Sequence, residues 1–168
     1  NLAETSWKSL LIPAVLAGTG FLLYPLLLWC MADFHSFRGT LAYDQGKHEE
    51  AARLALEAAE IAPFRADYFK KAGSAFTALG RETQGLERRN AGKQAVAMYR
   101  RTLALRPWDS ESMHALGENL LRLGELREAE KWLYEAVNHD PNNPLYWKHW
   151  GEMNFLRAND HTAAKSFS

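Results

Sequence analysis

The sequence predicts an all-α architecture in which one N-terminal transmembrane helix is followed by a solenoid of antiparallel helix pairs. Two observations predict it. Residues 10–31, LLIPAVLAGTGFLLYPLLLWCM, carry no charge, and a helix of that length, rising about 1.5 Å per residue, crosses a hydrocarbon layer of about 30 Å. Downstream, Pro107 and Pro141 are 34 residues apart and Pro63 stands 44 before Pro107. That is the rhythm of stacked helix hairpins with one enlarged unit.

Composition sets the outer bounds. The 168 residues are 47% hydrophobic and 24% charged, enough for one core of ordinary size. Twenty basic residues balance twenty acidic ones, so no global field draws the chain to nucleic acid, and no nucleic-acid partner is expected. Cys30 is the only cysteine, which excludes an intrachain disulfide, and the bulky Trp29 before it argues against lipid attachment there. The chain starts at Asn1 and stops inside a repeat, as a piece of a longer or processed polypeptide would.

Residues 1–9 form an N-terminal flank and residues 10–31 the expected span. Pro13 lies near its start, where the missing donor costs little, whereas Pro25 is expected to kink or interrupt the helix. Ala14, Gly18, Gly20 and Pro25 are candidate membrane-packing positions, with notches through which another transmembrane helix can approach. Lys8 precedes the span, while Asp33 and Arg38 follow it, which places the repeats outside the cytoplasm, on the periplasmic side.

The prolines align four units: residues 32–65, 66–109 with a ten-residue insertion, 110–143, and an incomplete 144–168. Gly39, Gly73 and Gly117 take the position where the two helices of a pair cross closely. Ala51, Ala95 and Ala129 stand twelve residues before each proline, and Ala58, Thr102 and Ala136 five before it. Gly46, Gly80 and Gly124 are expected in the turns within pairs. The fourth unit begins with Trp147, Gly151, Ala163 and Phe167 at matching places. The insertion, RETQGLERRNAGK at residues 81–93, is read as either a protruding loop or a helical extension.

With these positions the chain resembles the tetratricopeptide repeat family over residues 32–168, most strongly in HALGENLLRLGELREAEKWLYEAVNHDPNN, His114 to Asn143. His35 and Arg38 depart from it, standing where large apolar residues are usual. A weaker resemblance, carried by MADFHSFRG at residues 31–39 and LRPWDSES at 105–112, is to the C-terminal region of bacterial O-antigen-ligase-like membrane proteins, whose catalysis lies in other spans.

The tetratricopeptide resemblance implies that Trp108, Trp132, Leu133, Tyr99, Leu116 and Leu123 pack the core. It also implies a groove lined by the first helix of each pair, with Tyr43, Lys70, Ser74, Thr77, His114, Glu118, Lys148 and Glu152 exposed in it. That set lacks the asparagine and lysine arrangement by which some family members clamp a peptide carboxylate. Trp147, Trp150 and Phe155 form a candidate aromatic interface, unless the remainder of unit four covers them.

No catalytic motif, phosphate-binding loop or paired metal-ligand spacing on one helix is present, so neither catalytic residue, cofactor nor metal is expected. The six histidines are scattered along the chain. These features point to a non-catalytic membrane-anchored scaffold that binds protein partners and the lipid bilayer. The alternatives are the C-terminal tail of an O-antigen-ligase-like glycan-processing enzyme, and an accessory subunit of a photosynthetic or respiratory membrane complex.

Overall fold

The computed structural model describes the backbone of residues 2–166 and the side chains of residues 23–158. The described residues form seven helices: α1 (Leu2–Asp44), α2 (His48–Ile61), α3 (Ala66–Glu82), α4 (Gly85–Leu105), α5 (Ser110–Leu123), α6 (Leu126–His139) and α7 (Pro144–Ser166). Each helix packs on the next, and the odd-numbered helices also touch one another in sequence, giving a two-row stack.

The turns repeat because the residues that make them repeat. Ala62, Arg106 and Asp140, each just before a proline, close α2, α4 and α6 with φ of −133°, −138° and −141°. A residue preceding proline is disfavoured in the helical region, so the helix stops there. Their N–H groups donate to the carbonyls of Ala58, Thr102 and Ala136, the three small residues five before each proline. Within pairs, Gly46 and Gly124 adopt φ of 76° and 84°. The next amides, of Lys47 and Glu125, reach back to the carbonyls of Ala42 and Leu120, a C-terminal closure that favours glycine.

Burial follows the aligned small residues. Ala58, Ala95, Thr102, Ala129 and Ala136 are fully buried and Ala51 nearly so. A Cβ on Gly117 would lie 2.7 Å from Leu133 Cγ, and one on Gly73 would lie 3.0 Å from the Tyr99 ring. Around these contacts Leu54, Leu116, Leu120, Leu133 and Met153 are wholly buried, each contributing about 1.5–3 kcal/mol of apolar transfer.

Several expectations are corrected. Gly80 lies inside α3, because the insertion lengthens that helix to Glu82 and gives α4 21 residues; the positive-φ glycine of this unit is Gly85, at 58°. The insertion is therefore a helical extension. Trp108 is 69% exposed rather than core, since it follows Pro107 in the turn between α4 and α5. Unit four is one continuous helix, α7, with no turn into a second helix before Ser166. Helix α1 continues through Pro25 without interruption, and Pro25 is exposed. Among the described residues no helix is long and apolar enough to cross a membrane; residues 10–22 of the expected span, with Ala14, Gly18 and Gly20, lie outside the described side chains.

Two glycines at aligned positions should respond oppositely to alanine. At Gly117 the overpacking against Leu133, about 1–3 kcal/mol, outweighs the gain in helix propensity, about 1 kcal/mol, so Gly117→Ala lowers stability. A Cβ on Gly151 meets nothing within 4 Å among the described residues, so Gly151→Ala raises stability by up to about 1 kcal/mol. Chemical denaturation of both variants checks the pair of signs.

Candidate binding groove

The odd-numbered row leaves a groove where α1 faces α3. It holds a pocket of about 590 Å³, with Ser36, Thr40 and Tyr43 of α1 on one side and Lys70, Lys71 and Ser74 of α3 on the other. The close approach of Gly39 to α2 lets the floor reach Ala51 and Ala55. The charged lining is balanced, three acids (Asp33, Asp67, Glu111) against three bases (Arg65, Lys70, Lys71).

Most of these charges are already positioned by neighbours. Tyr68 donates to Asp33 Oδ1 at 2.5 Å; burial and this carboxylate acceptor push the phenol up to about 12. Lys71 Nζ donates to the buried Ser36 Oγ at 2.8 Å. Lys70 Nζ reaches Glu111 at 2.6 Å and Asp109 at 3.2 Å. Burial alone would lower the pKa of this ammonium, but its bonds to Glu111 and Asp109 outweigh that and raise it. Asp109 also accepts from Ser112 N at 3.0 Å and so caps α5. A single carboxylate thus anchors the start of α5 and ties it to α3.

The expected groove residues are distributed over several places. Tyr43, Lys70 and Ser74 line the pocket together, and Ser74 Oγ bonds the Tyr99 hydroxyl at 3.2 Å, while burial raises the pKa of that phenol. Thr77 is buried rather than exposed: it donates to Gly73 O and accepts from Asn119 Nδ2 at 2.9 Å each, stitching α3 to α5. His114 is likewise buried, because Tyr146 and His149 of α7 lie over its ring, with centroids 4.6 and 4.8 Å away. Glu118 is half-buried and binds Arg81 and Arg122. Lys148 and Glu152 face solvent as a pair at 3.8 Å, a contact worth little in water.

Of the aromatic set, Trp147 and Phe155 are 47% and 68% exposed. Trp150 is half-buried, packing edge-on against Trp147 and beside Tyr134. Residues missed from the sequence are Asp33, Ser36, Tyr68, Lys71, Asp109 and Glu111. Two of their contacts, Asp33 with Tyr68 and Ser36 with Lys71, join residues 35 apart, one repeat plus one. Searching for polar pairs at that offset would have found them.

Two measurements test this electrostatic picture. Burial and the neighbouring His149 hold His114 at a pKa of about 4, below its ordinary 6.5, while Glu118 and Glu111 on α5 pull the other way. The unfolded chain therefore takes up a proton that the folded chain refuses, and stability falls as pH drops from about 6.5 to about 4. Melting curves across that range should show a steeper loss for the wild type than for His114→Gln. Asp109→Ala, which removes the α5 cap and the Lys70 partner together, should cost about 1–2 kcal/mol in denaturant titration.

Residues 88–148 match the tetratricopeptide repeat family model. No curated protein is similar enough to the sequence to count as a relative. Among solved structures, the first TPR domain of human RPAP3 is similar with a TM-score of 0.68 at 19% identity, over 79% of this chain and 96% of that one. The first TPR of Spaghetti (RPAP3) bound to the HSP90 peptide SRMEEVD has a TM-score of 0.67 at 19% identity, over 76% and 94%. The Yersinia enterocolitica type III secretion chaperone SycD, in complex with a peptide of the translocator YopD, has 0.64 at 18%, over 74% and 93%. At these identities the likeness establishes the fold, a solenoid of antiparallel helix pairs, within which residues 88–148 carry the tetratricopeptide match.

Proposed function

We propose that the chain is a non-catalytic docking scaffold, anchored in a bilayer by residues 10–31, that holds a segment of a partner protein in the groove between α1 and α3 and so assembles a membrane complex. The repeats lie outside the cytoplasm, on the periplasmic side. The observation that carries the anchored reading is the apolar stripe of α1. Leu23, Leu27, Met31, Phe34 and Leu41 recur at helical spacing and are each half exposed or more, and a contiguous face of that kind calls for lipid or protein cover. Its course continues the uncharged run of residues 10–31 directly into the repeats.

Support for the groove comes from its form. It is a preformed pocket of about 590 Å³ with balanced charge and an apolar floor, which suits an extended peptide carrying both polar and apolar side chains. In two solved solenoids of this fold a peptide of another protein is bound. The charges here favour a mixed sequence over a purely acidic one, because Lys70 is already neutralised by Asp109 and Glu111.

Two measurements separate anchoring from docking. Residues 1–168 should float with phospholipid vesicles in a density gradient and residues 32–168 should not; co-flotation of the shorter chain would defeat the anchor. A photo-crosslinker at Ser74, in the groove, should give a discrete partner adduct in native membranes, and one at the exposed Arg127 of α6 should not. Equal adducts from both positions would remove the groove from the proposal.

A further inference from the structure

We propose that His114, Glu118 and His149 form a binding site for a divalent transition-metal ion of the zinc, nickel and copper class, which pins α7 to α5. His114 and Glu118 are one turn apart on α5, so their side chains share a face. His149 arrives from α7, which α5 touches directly. His114 Nε2 and His149 Nδ1 are 2.7 Å apart, the ring planes differ by 6°, and one ring nitrogen of each histidine and a Glu118 carboxylate oxygen all lie within 4.8 Å of one another.

That geometry is close to what a first-row ion requires. With bonds of about 2.1 Å, ligand atoms around such an ion stand about 3.0–3.4 Å apart, so the imidazoles need part by only a few tenths of an ångström and the carboxylate swing in. A metal would enter between the two nitrogens once the ring that donates in this hydrogen bond carries its proton on its other nitrogen instead, so that each neutral imidazole offers one lone pair. Two imidazoles and a carboxylate suit zinc and its neighbours, whereas calcium and magnesium prefer all-oxygen shells.

The surroundings already orient the donors. Tyr146 stacks on the His114 ring, fixing its plane. Arg81 and Arg122 both bond Glu118 through Oε1, so one carboxylate oxygen is not committed to either guanidinium. Such outer partners hold metal ligands in place. The two guanidinium charges oppose a dication, so affinity should fall below that of four-ligand structural sites. Three protein donors leave positions for water or for a group brought by a partner.

The sequence alone gave no reason to expect this site, because its two histidines lie on different helices, 35 residues apart. That offset is the one at which α1 meets α3 through Asp33–Tyr68 and Ser36–Lys71. The site does not depend on the groove or on the membrane anchor.

The test uses the whole chain, with Zn²⁺ as the probe. Elemental analysis after gel filtration should find one bound zinc in the wild type and in His139→Ala, an exposed control on α6. It should find none in His149→Ala and a reduced amount in Glu118→Gln. Zn²⁺ should raise the melting temperature of the wild type and leave that of His149→Ala unmoved. Equal zinc in the wild type and His149→Ala, or no thermal shift in the wild type, would overturn the site. Should His149→Ala lose helical content, NMR of the wild type decides: Zn²⁺ must shift the His114 and His149 imidazole signals, and unshifted signals reject the proposal.

Discussion

Everything in the stack rests on how near the two helices of a pair can come. At Gly117 the backbone of α5 lies against Leu133, and at Gly73 that of α3 lies against the ring of Tyr99, with room for no more than a hydrogen in either place. The bulky partners are buried at those points, Leu133 fully and Tyr99 to 3% exposure. Each pair thereby becomes a thin wedge whose remaining apolar faces are too broad for one hairpin to cover. The next unit must cover them, which is why Leu116, Leu120 and Val137 of unit three and Tyr146 and Met153 of α7 belong to one continuous core.

The same crossing decides which surface is left for binding. With one side of each odd-numbered helix consumed by its partner and another by the following unit, a third side faces the groove. Polar contacts across that side obey the repeat. Asp33 with Tyr68, Ser36 with Lys71 and His114 with His149 each join residues 35 apart on successive odd helices. The enlarged second unit breaks the rule, and there the links run at other offsets: Lys70 to Asp109 and Thr77 to Asn119. Asp109 makes the first of these strong by serving as helix cap and counter-ion at once.

The legible part of this molecule was whatever depends on small residues and prolines. The helix boundaries beside Pro63, Pro107 and Pro141 and the close contacts at Ala129 and Gly117 followed from spacing, because steric exclusion acts locally and at fixed offsets. Less legible were the features set by a neighbour in space. Gly80 read as a turn because the insertion's helical character could not be told from a loop when its glycines, Gly85 and Gly92, suited either. Gly92 instead packs beneath Leu123 of the next unit. Thr77 and His114 read as groove residues from their position along the helix, but Asn119 and the rings of α7 cover them. Exposure depends on what arrives from the adjacent helix, and a single helix's periodicity carries no record of that.

The first and last described helices, α1 and α7, are covered differently, and the difference bears on both proposals. At the α1 end an apolar stripe from Leu23 to Leu41 lies open, a face that lipid and partner protein would cover in the anchored scaffold proposed above. At the other end α7 meets the stack on one side only. Tyr146 and Met153 are its described fully covered side chains, while Trp147, Phe155 and the bare backbone at Gly151 face outward. With so few buried groups among its described residues, α7 opens locally at low cost, so a bond that joins it to α5 has a large effect there. The His114–His149 contact sits at that junction, and whatever bridges it, a proton or a metal ion, sets how firmly α7 is held to α5.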